Sequence, residues 1–345
     1  MKITTVGIDL AKSVFHIHGV DERGKTLLRK QLKRGEVLKF FANLPVCLIG
    51  MEACGSAHYW ARKLIERGHT VKLMAPSFVK PYVKTNKNDR NDAEAICEAV
   101  TRPNMRFVPI KSAEQQALLA LHCARSGWVK ARTAQANQIR GLLGEFGIVV
   151  PQGIARLRCT LPELLEDARN GLPGLMRSLL NTLLAHIKVL DEQIQALERE
   201  IVVWHRRNED SRRLERIAGV GPITASALVA SIGNAKNFRN GRQVAAWLGL
   251  VPGQDSSGGK TKLLGISKHG DVYLRTLLIH GARSVLRHLK SRGDQTQSWV
   301  ARLVVRRNRN VAAVALANKN ARIAWALLAH QREFNPDYVS AAPTR

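Results

Sequence analysis

Cysteine is sparse in this 345-residue chain: Cys47, Cys54, Cys97, Cys123 and Cys159 are odd in number, scattered, and form no Cys-x-x-Cys pair. That excludes a disulfide framework and a structural zinc site, and it fits a reducing cytoplasm. Cys47 and Cys97 lie on apolar faces and are expected in cores. No His-Glu-x-x-His or comparable ligand spacing occurs, and the Gly-x-x-x-x-Gly-Lys-Ser/Thr phosphate loop is also missing. Apolar runs are too short to cross a bilayer, and the opening residues are interrupted by Asp9 without a cleavage-like site, so neither membrane span nor signal peptide is expected. Acidic charge is also scarce. Asp plus Glu number 27 against 54 Lys plus Arg, a formal net charge of +27. Such an excess attracts polyanions with salt-dependent affinity, and nucleic acid is a better partner than a membrane.

The first hundred residues alternate between strand-like and helix-like patterns. Strands are expected over 3–9, 14–20 and 26–32, the first two joined by a turn around Lys12. The continuous apolar run 46–51 reads as a buried central strand. A helix over 57–67, a strand over 70–74 and a helix over 89–100 follow, the last with Ala93, Ile96, Cys97 and Val100 on one face. This order matches a ribonuclease-H-like sheet, an α/β domain assigned to residues 1–108. Residues 109–205 are expected to be helical. Within them, Met176, Leu180, Leu183, Ile187, Leu190, Ile194, Leu197, Ile201 and Trp204 alternate spacings of four and three. One helix of a bundle has this pattern; a self-associating coiled coil has it too, and a seam over four heptads favours the coiled coil. Residues 206–335 read as a mostly helical domain and 336–345 as a loose tail. There are no internal repeats.

Four carboxylates stand out on the first domain. Asp9 and Glu52 end strand-like runs, where a charge needs a partner or a metal. Asp89 and Asp92 lie one helical turn apart and continue the stripe of Ala93 and Ile96, toward the sheet. Metal-assisted phosphodiester cleavage needs two Mg²⁺ ions about 4 Å apart held by such oxygens. Taken singly, Asp89 and Asp92 read as a helix cap and its partner, and Asp9 as a turn residue. Farther on, Ile217-Ala-Gly-Val-Gly-Pro-Ile-Thr224 ends one helix at Gly219 and Gly221 and starts another at Pro222. Such a hairpin resembles a helix-hairpin-helix element and turns backbone N–H groups toward a phosphate. Arg212, Arg213 and Arg216 surround it. In the loop 252–262, Ser256 and Ser257 precede two glycines, with Lys260, Lys262 and Lys268 nearby. A serine so placed is a candidate nucleophile if a base or metal activates it; alone, the segment reads as a flexible polar loop. The densest positive stretch, 302–309, includes Arg306 and Arg307 and is expected as a basic helix on nucleic acid. The histidines, including His16 and His18 on one strand face, read as structural.

Taken together, these blocks resemble the insertion-sequence transposases of the Piv/MooV invertase group. The resemblance is carried by Gly7-Ile-Asp-Leu-Ala-Lys12, Met51-Glu-Ala-Cys-Gly55 and Asn86-Lys-Asn-Asp-Arg-Asn-Asp-Ala93 in the first domain. Ile217 to Thr224, Trp247-Leu-Gly-Leu-Val-Pro252, Ser257-Gly and Ile266-Ser-Lys-His-Gly-Asp-Val-Tyr-Leu-Arg275 carry it in the last, in the same order and over nearly the whole chain. It implies a RuvC-like domain whose Asp9, Glu52, Asp89 and Asp92 bind Mg²⁺, joined to a serine transposase domain whose Ser257 forms a covalent phosphoserine with DNA. Ser256 remains an alternative to Ser257. The resemblance further implies homo-oligomers (dimer or tetramer) in which one protomer's carboxylates complete another's serine site. It also implies guidance by a structured bridge RNA and a place at the bacterial nucleoid. Two other readings stand beside it: a nuclease resembling a Holliday-junction resolvase, with water as nucleophile, and a non-catalytic nucleic-acid-binding protein.

Overall fold

In the computed structural model the described residues are 2–84, 88–289 and 295–336, with only the backbone for 295–298. Asn86 and Lys87 of the third sequence block, and the tail beyond 336, lie outside them. The chain divides into two compact units, Met1–Gln116 and Ala117–Arg345.

The first unit is a six-stranded sheet in the order β3-β2-β1-β4-β5-β6, with helices on both faces. Strands β1 (Thr5–Leu10), β2 (Val14–Val20) and β3 (Thr26–Lys33) form an antiparallel meander. Helix α1 (Val37–Ala42) leads to β4 (Leu48–Glu52), parallel to β1. Helix α2 (Ala57–Ile65) leads to β5 (Thr70–Met74), parallel to β4. The short α3 (Pro76–Val79) and then α4 (Asp89–Ala99) precede the antiparallel edge strand β6 (Phe107–Val108). The mixed sheet is consistent with a ribonuclease-H-like domain.

Period-two alternation sorts each strand's side chains between the faces. Val6 and Ile8, Phe15 and Ile17, and Ile49 and Met51 pack with Phe41, Trp60 and Leu64 beneath α1 and α2. Gly7, Asp9, His16, His18, Gly50 and Glu52 are the intervening residues and belong to the other face, the one α4 covers. Cys47 and Cys97 are buried, as expected of core residues.

Two glycines let α4 lie against the sheet. A Cβ on Gly7 would stand 2.2 Å from the Ala93 carbonyl oxygen, and one on Gly50 would stand 2.8 Å from Val100 Cβ. Both distances are well inside van der Waals contact, so any side chain at either position would push α4 outward. Helix α4 therefore runs antiparallel to β1, and its first turn lies at the strand end that carries Asp9.

The second unit is helical. It takes in most of α5 (Ala113–Gly144), then α6 (Ile154–Glu166), α7 (Gly174–Arg207), α8 (Glu209–Glu215), α9 (Pro222–Ile232) and α10 (Gly241–Trp247). A hairpin, β7 (Pro252–Gln254) and β8 (Leu263–Ile266), follows. Helices α11 (Val272–Arg287), α12 (Gln295–Arg306) and α13 (Arg309–His330) complete it. The heptad seam of α7 faces its own chain. Leu180 and Ile187, with Leu183 partly buried and Leu184 beside the seam, pack with Ile139 and Leu143 of α5 and Leu157 and Leu161 of α6, while Ile201 packs with Leu118 and Ala230. Polar pairs flank it: Asp191 lies 2.6 Å from Arg132 and 2.5 Å from Arg158, and Glu198 lies 2.6 Å from Arg125. Packing within the chain therefore covers much of this seam, as in a bundle helix, while Met176, Leu183, Leu197 and Trp204 stay partly exposed.

Candidate active site

Asp9 stands at the C-terminal end of β1, inside the strand rather than in the turn. It pairs across the antiparallel ladder with His16. The parallel ladder with β4 ends at Ile8 opposite Met51, which leaves Asp9 and Glu52 as the next residues side by side. The capping role that Asp89 and Asp92 could have filled belongs to Asn88, whose side chain accepts the Asn91 N–H at 2.9 Å. Asp89 is thus the first helical residue and Asp92 one turn on, both near the positive end of the α4 dipole.

Ligand atoms of Asp9, His16 and Asp89 all lie within 4.8 Å of one another. His16 Nδ1 is 3.6 Å from Asp89 Oδ2. Burial raises the Asp9 pKa above its ordinary value, and the negative charges of Asp89 and Asp92 raise it further; His16 and the Leu10 backbone act the other way. Like charges gathered at a half-buried strand end oppose ionisation unless a cation joins them. The donor set, carboxylate oxygens with one imidazole, suits a divalent ion. Glu52 lies outside this tight group but is close enough, with Asp9, to raise the Cys54 thiol pKa after burial has done so. His16, which reads as structural from the sequence alone, stands within this group.

The serine loop proves to be ordered as a hairpin in the second unit. Arg275, almost fully buried, donates to the carbonyl oxygens of Leu248 at 3.0 Å and His269 at 3.1 Å, and Asn318 donates to Leu250 O at 3.0 Å. These bonds tie down the base of the hairpin. Its tip is exposed: Ser257 bridges Lys260, whose N–H donates to Ser257 O at 3.0 Å. The two serines are used differently. Ser256 Oγ accepts from Gln254 Nε2 at 2.9 Å and from the Lys262 N–H at 3.1 Å, so it holds the loop's shape. Lys260 and Lys262 are exposed near the tip, and Lys268 is exposed at the base, where its N–H donates to Gly249 O at 3.2 Å.

The Gly219 hairpin joins α8 to α9, with Gly219 at φ +85° and Gly221 as the residue before Pro222. Gly219 packs directly on Gly281 of α11. Its arginines differ in availability. Arg213 is buried and spent on Glu209, Asp210 and Glu333, whereas Arg216 is exposed and shares Glu333 at 3.0 Å. Only Arg216 and Arg212 are exposed for phosphate contact. The stretch 302–309 is not one helix. It breaks after Arg306, and Asn308 caps α13 by accepting the Asn310 N–H at 2.8 Å. Arg306 and Arg307 are exposed at that break. No helix among the described residues is long and apolar enough to cross a membrane.

The first unit is thus a mixed sheet, consistent with a ribonuclease-H-like domain, with carboxylates at its strand ends suited to a divalent ion. Comparison with known proteins gives the family. Residues 6–148 match the transposase model of the DEDD type found in IS110 elements, and residues 211–297 match the transposase model of the IS116/IS110/IS902 family. The chain is 53% identical over 337 residues to a "Probable family 20 transposase" of Pseudomonas aeruginosa, covering 97% of this chain and all of that protein. It is 47% identical over 332 residues to the transposase for insertion sequence element IS1111A of Coxiella burnetii (96% and 91% of the two chains). It is also 46% identical over 325 residues to that for IS1328 of Yersinia enterocolitica (94% and 96%). The chain belongs to the IS110/IS116 family of transposases, enzymes that cut and join DNA.

Proposed function

We propose that this transposase cuts and rejoins the DNA of an insertion sequence through a covalent phosphoserine on Ser257, with Asp9, Glu52, Asp89 and Asp92 as the carboxylates of a divalent-metal site. The observation that carries the serine step is the hairpin itself. Its base is fixed by Arg275 and Asn318, its shape is held by Ser256, and Ser257 is left at the exposed tip among lysines. In the step, the Ser257 Oγ–phosphorus bond forms as the bond from phosphorus to a deoxyribose oxygen breaks, and the released oxygen takes up the serine proton. A hydroxyl of a second strand reverses the step and rejoins DNA. One phosphodiester is exchanged for another, so no external energy source is needed. When bound, a divalent ion such as Mg²⁺ would supply charge neutralisation at the phosphate and activate the attacking oxygen. Asp9, Glu52, Asp89 and Asp92 would hold it, with Asp9 and Asp89 the two carboxylates already within ligand reach of each other.

The likeness to the Piv/MooV group rests on the sequence blocks. DNA contact is assigned to the Gly219–Gly221 hairpin with Arg216, to Lys260, Lys262 and Lys268, and to Arg306 and Arg307. A structured guide RNA is supported only by the surplus of positive charge. The organisation proposed remains a RuvC-like domain over 1–108, a helical linker over 109–205, a serine transposase domain over 206–335 and a tail, acting in the cytoplasm at the nucleoid. Oligomers would pack on the surface that the single chain leaves open on α7. Leu175, Leu179, Val189 and Val203 are exposed on that helix and are the apolar residues available.

A second reading has its own support. All four carboxylates belong to the first unit, so a nuclease using water as nucleophile would need nothing from the serine hairpin. The two readings separate in a trapping assay with labelled element-junction DNA, RNA transcribed from the flanking region and a divalent metal. A protein–DNA adduct that survives denaturation in wild type and in Ser256→Ala, but not in Ser257→Ala, is the expected result. Cleavage without adduct, unchanged in Ser257→Ala, would replace it with the nuclease.

A further inference from the structure

The β1–β2 ladder sets His16 opposite Asp9, with both side chains on the face that α4 covers. The His16 side chain is 15% exposed, and its Nδ1 is fully buried without a hydrogen-bond partner. Folds seldom leave a polar atom orphaned in such a position without compensation, because it has given up water for no partner. Its 3.6 Å separation from Asp89 Oδ2 is too long for a hydrogen bond, yet the nitrogen shares ligand reach with both Asp9 and Asp89. His18, two residues along on the same face, differs. Its Nε2 has the Thr26 hydroxyl at 3.4 Å, and its Nδ1 faces Glu94 at 3.9 Å rather than sharing ligand reach with Asp9 and Asp89.

We propose that His16 is a direct ligand of the divalent ion held by Asp9 and Asp89, which makes the centre a mixed nitrogen–oxygen site. The inference rests on the reading of these carboxylates as a metal site and adds a ligand to it. Its consequence is selectivity. Mg²⁺ is a hard ion that takes oxygen and keeps its waters, whereas Mn²⁺, though also oxygen-preferring, is a transition-metal ion that loses less when one ligand is an imidazole. The site should therefore favour Mn²⁺ over Mg²⁺ more than an all-carboxylate centre would.

The test is pulsed EPR of Mn²⁺ bound to the full-length protein, with histidine at natural abundance and labelled with ¹⁵N. Wild type should show a directly coordinated imidazole nitrogen whose coupling changes from ¹⁴N to ¹⁵N on labelling. His16→Ala should lose that signal and bind Mn²⁺ about tenfold more weakly or worse, taking the loss of an outer-shell partner as the lower bound. His16→Asp should also lose it while recovering affinity for Mg²⁺. His18→Asn should retain it. If wild type binds Mn²⁺ without imidazole coupling while Asp9→Asn abolishes binding, the carboxylate site stands and His16 is not a ligand. Mn²⁺ binding that is indifferent to Asp9→Asn would instead remove the metal-site reading. Should His16→Ala fail to fold, the labelled wild-type spectrum decides the matter unaided.

Discussion

In the helical unit, His122 Nδ1 accepts the Tyr273 hydroxyl at 3.0 Å, and its Nε2 lies 3.1 Å from Ser226 Oγ. Because Ser226 donates to Pro222 O at 2.7 Å, the imidazole is left to donate from Nε2, and in the neutral ring Nδ1 is then the acceptor for Tyr273. Burial pushes its pKa down to about 4, and Arg125 contributes to the fall. The unfolded chain would protonate the same ring near 6.5. Stability from this group is therefore full above pH 6.5 and is lost as pH falls toward 4, where the folded protein also takes the proton. The melting temperature should drop between pH 7 and pH 5, and His122→Gln should flatten part of that drop; a slope unchanged by the substitution would show that His122 titrates normally. His58, lowered to about 4 by burial and then by Lys111 and Arg62, contributes a slope of the same sign from the first unit.

At the scale of elements, the position of α4 decides the carboxylate site. Asp89 and Asp92 reach Asp9 only because Gly7 and Gly50 present bare backbone to the helix. Gly7→Ala should destabilise the protein by about 1–3 kcal/mol, the cost of overpacking a filled contact, and weaken Mn²⁺ binding in the same variant. Gly35→Ala, with open space around it, should change neither. Thermal melts and Mn²⁺ titration of the two variants make the comparison; equal behaviour would mean that α4 tolerates displacement. Much of this arrangement could be read in the chain. Apolar runs halted by Asp9 and Glu52 mark central strands, and the spacing of Asp89 to Ile96 marks a helix facing them. His16 was harder to assign because its meaning lies in cross-strand register. A turn centred near Lys12 pairs residues whose numbers sum to 25, and Asp9 with His16 satisfies that. The seam of α7 showed its period but not its partner, since a packed helix and a coiled coil share one pattern. The β7–β8 hairpin was hidden because its strands are short and glycine-bearing, and its geometry comes from Arg275 and Asn318, far along the chain.

Across the whole molecule, the assigned nucleophile and the assigned carboxylates belong to different compact units. If oligomers pair one protomer's carboxylates with another's serine, full-length Asp9→Asn and Ser257→Ala proteins should each be inactive alone and recover part of the cleavage when mixed. A mixture as dead as its components would place both groups of a working site in one chain. The division also bears on how such an element ages in its host. A copy decayed at either unit would still make a protein with much of its positive charge and DNA affinity. By occupying ends that it cannot process, or by pairing with an intact protomer, such a remnant would restrain its own relatives. Accumulated wreckage would then act as the brake on further spread.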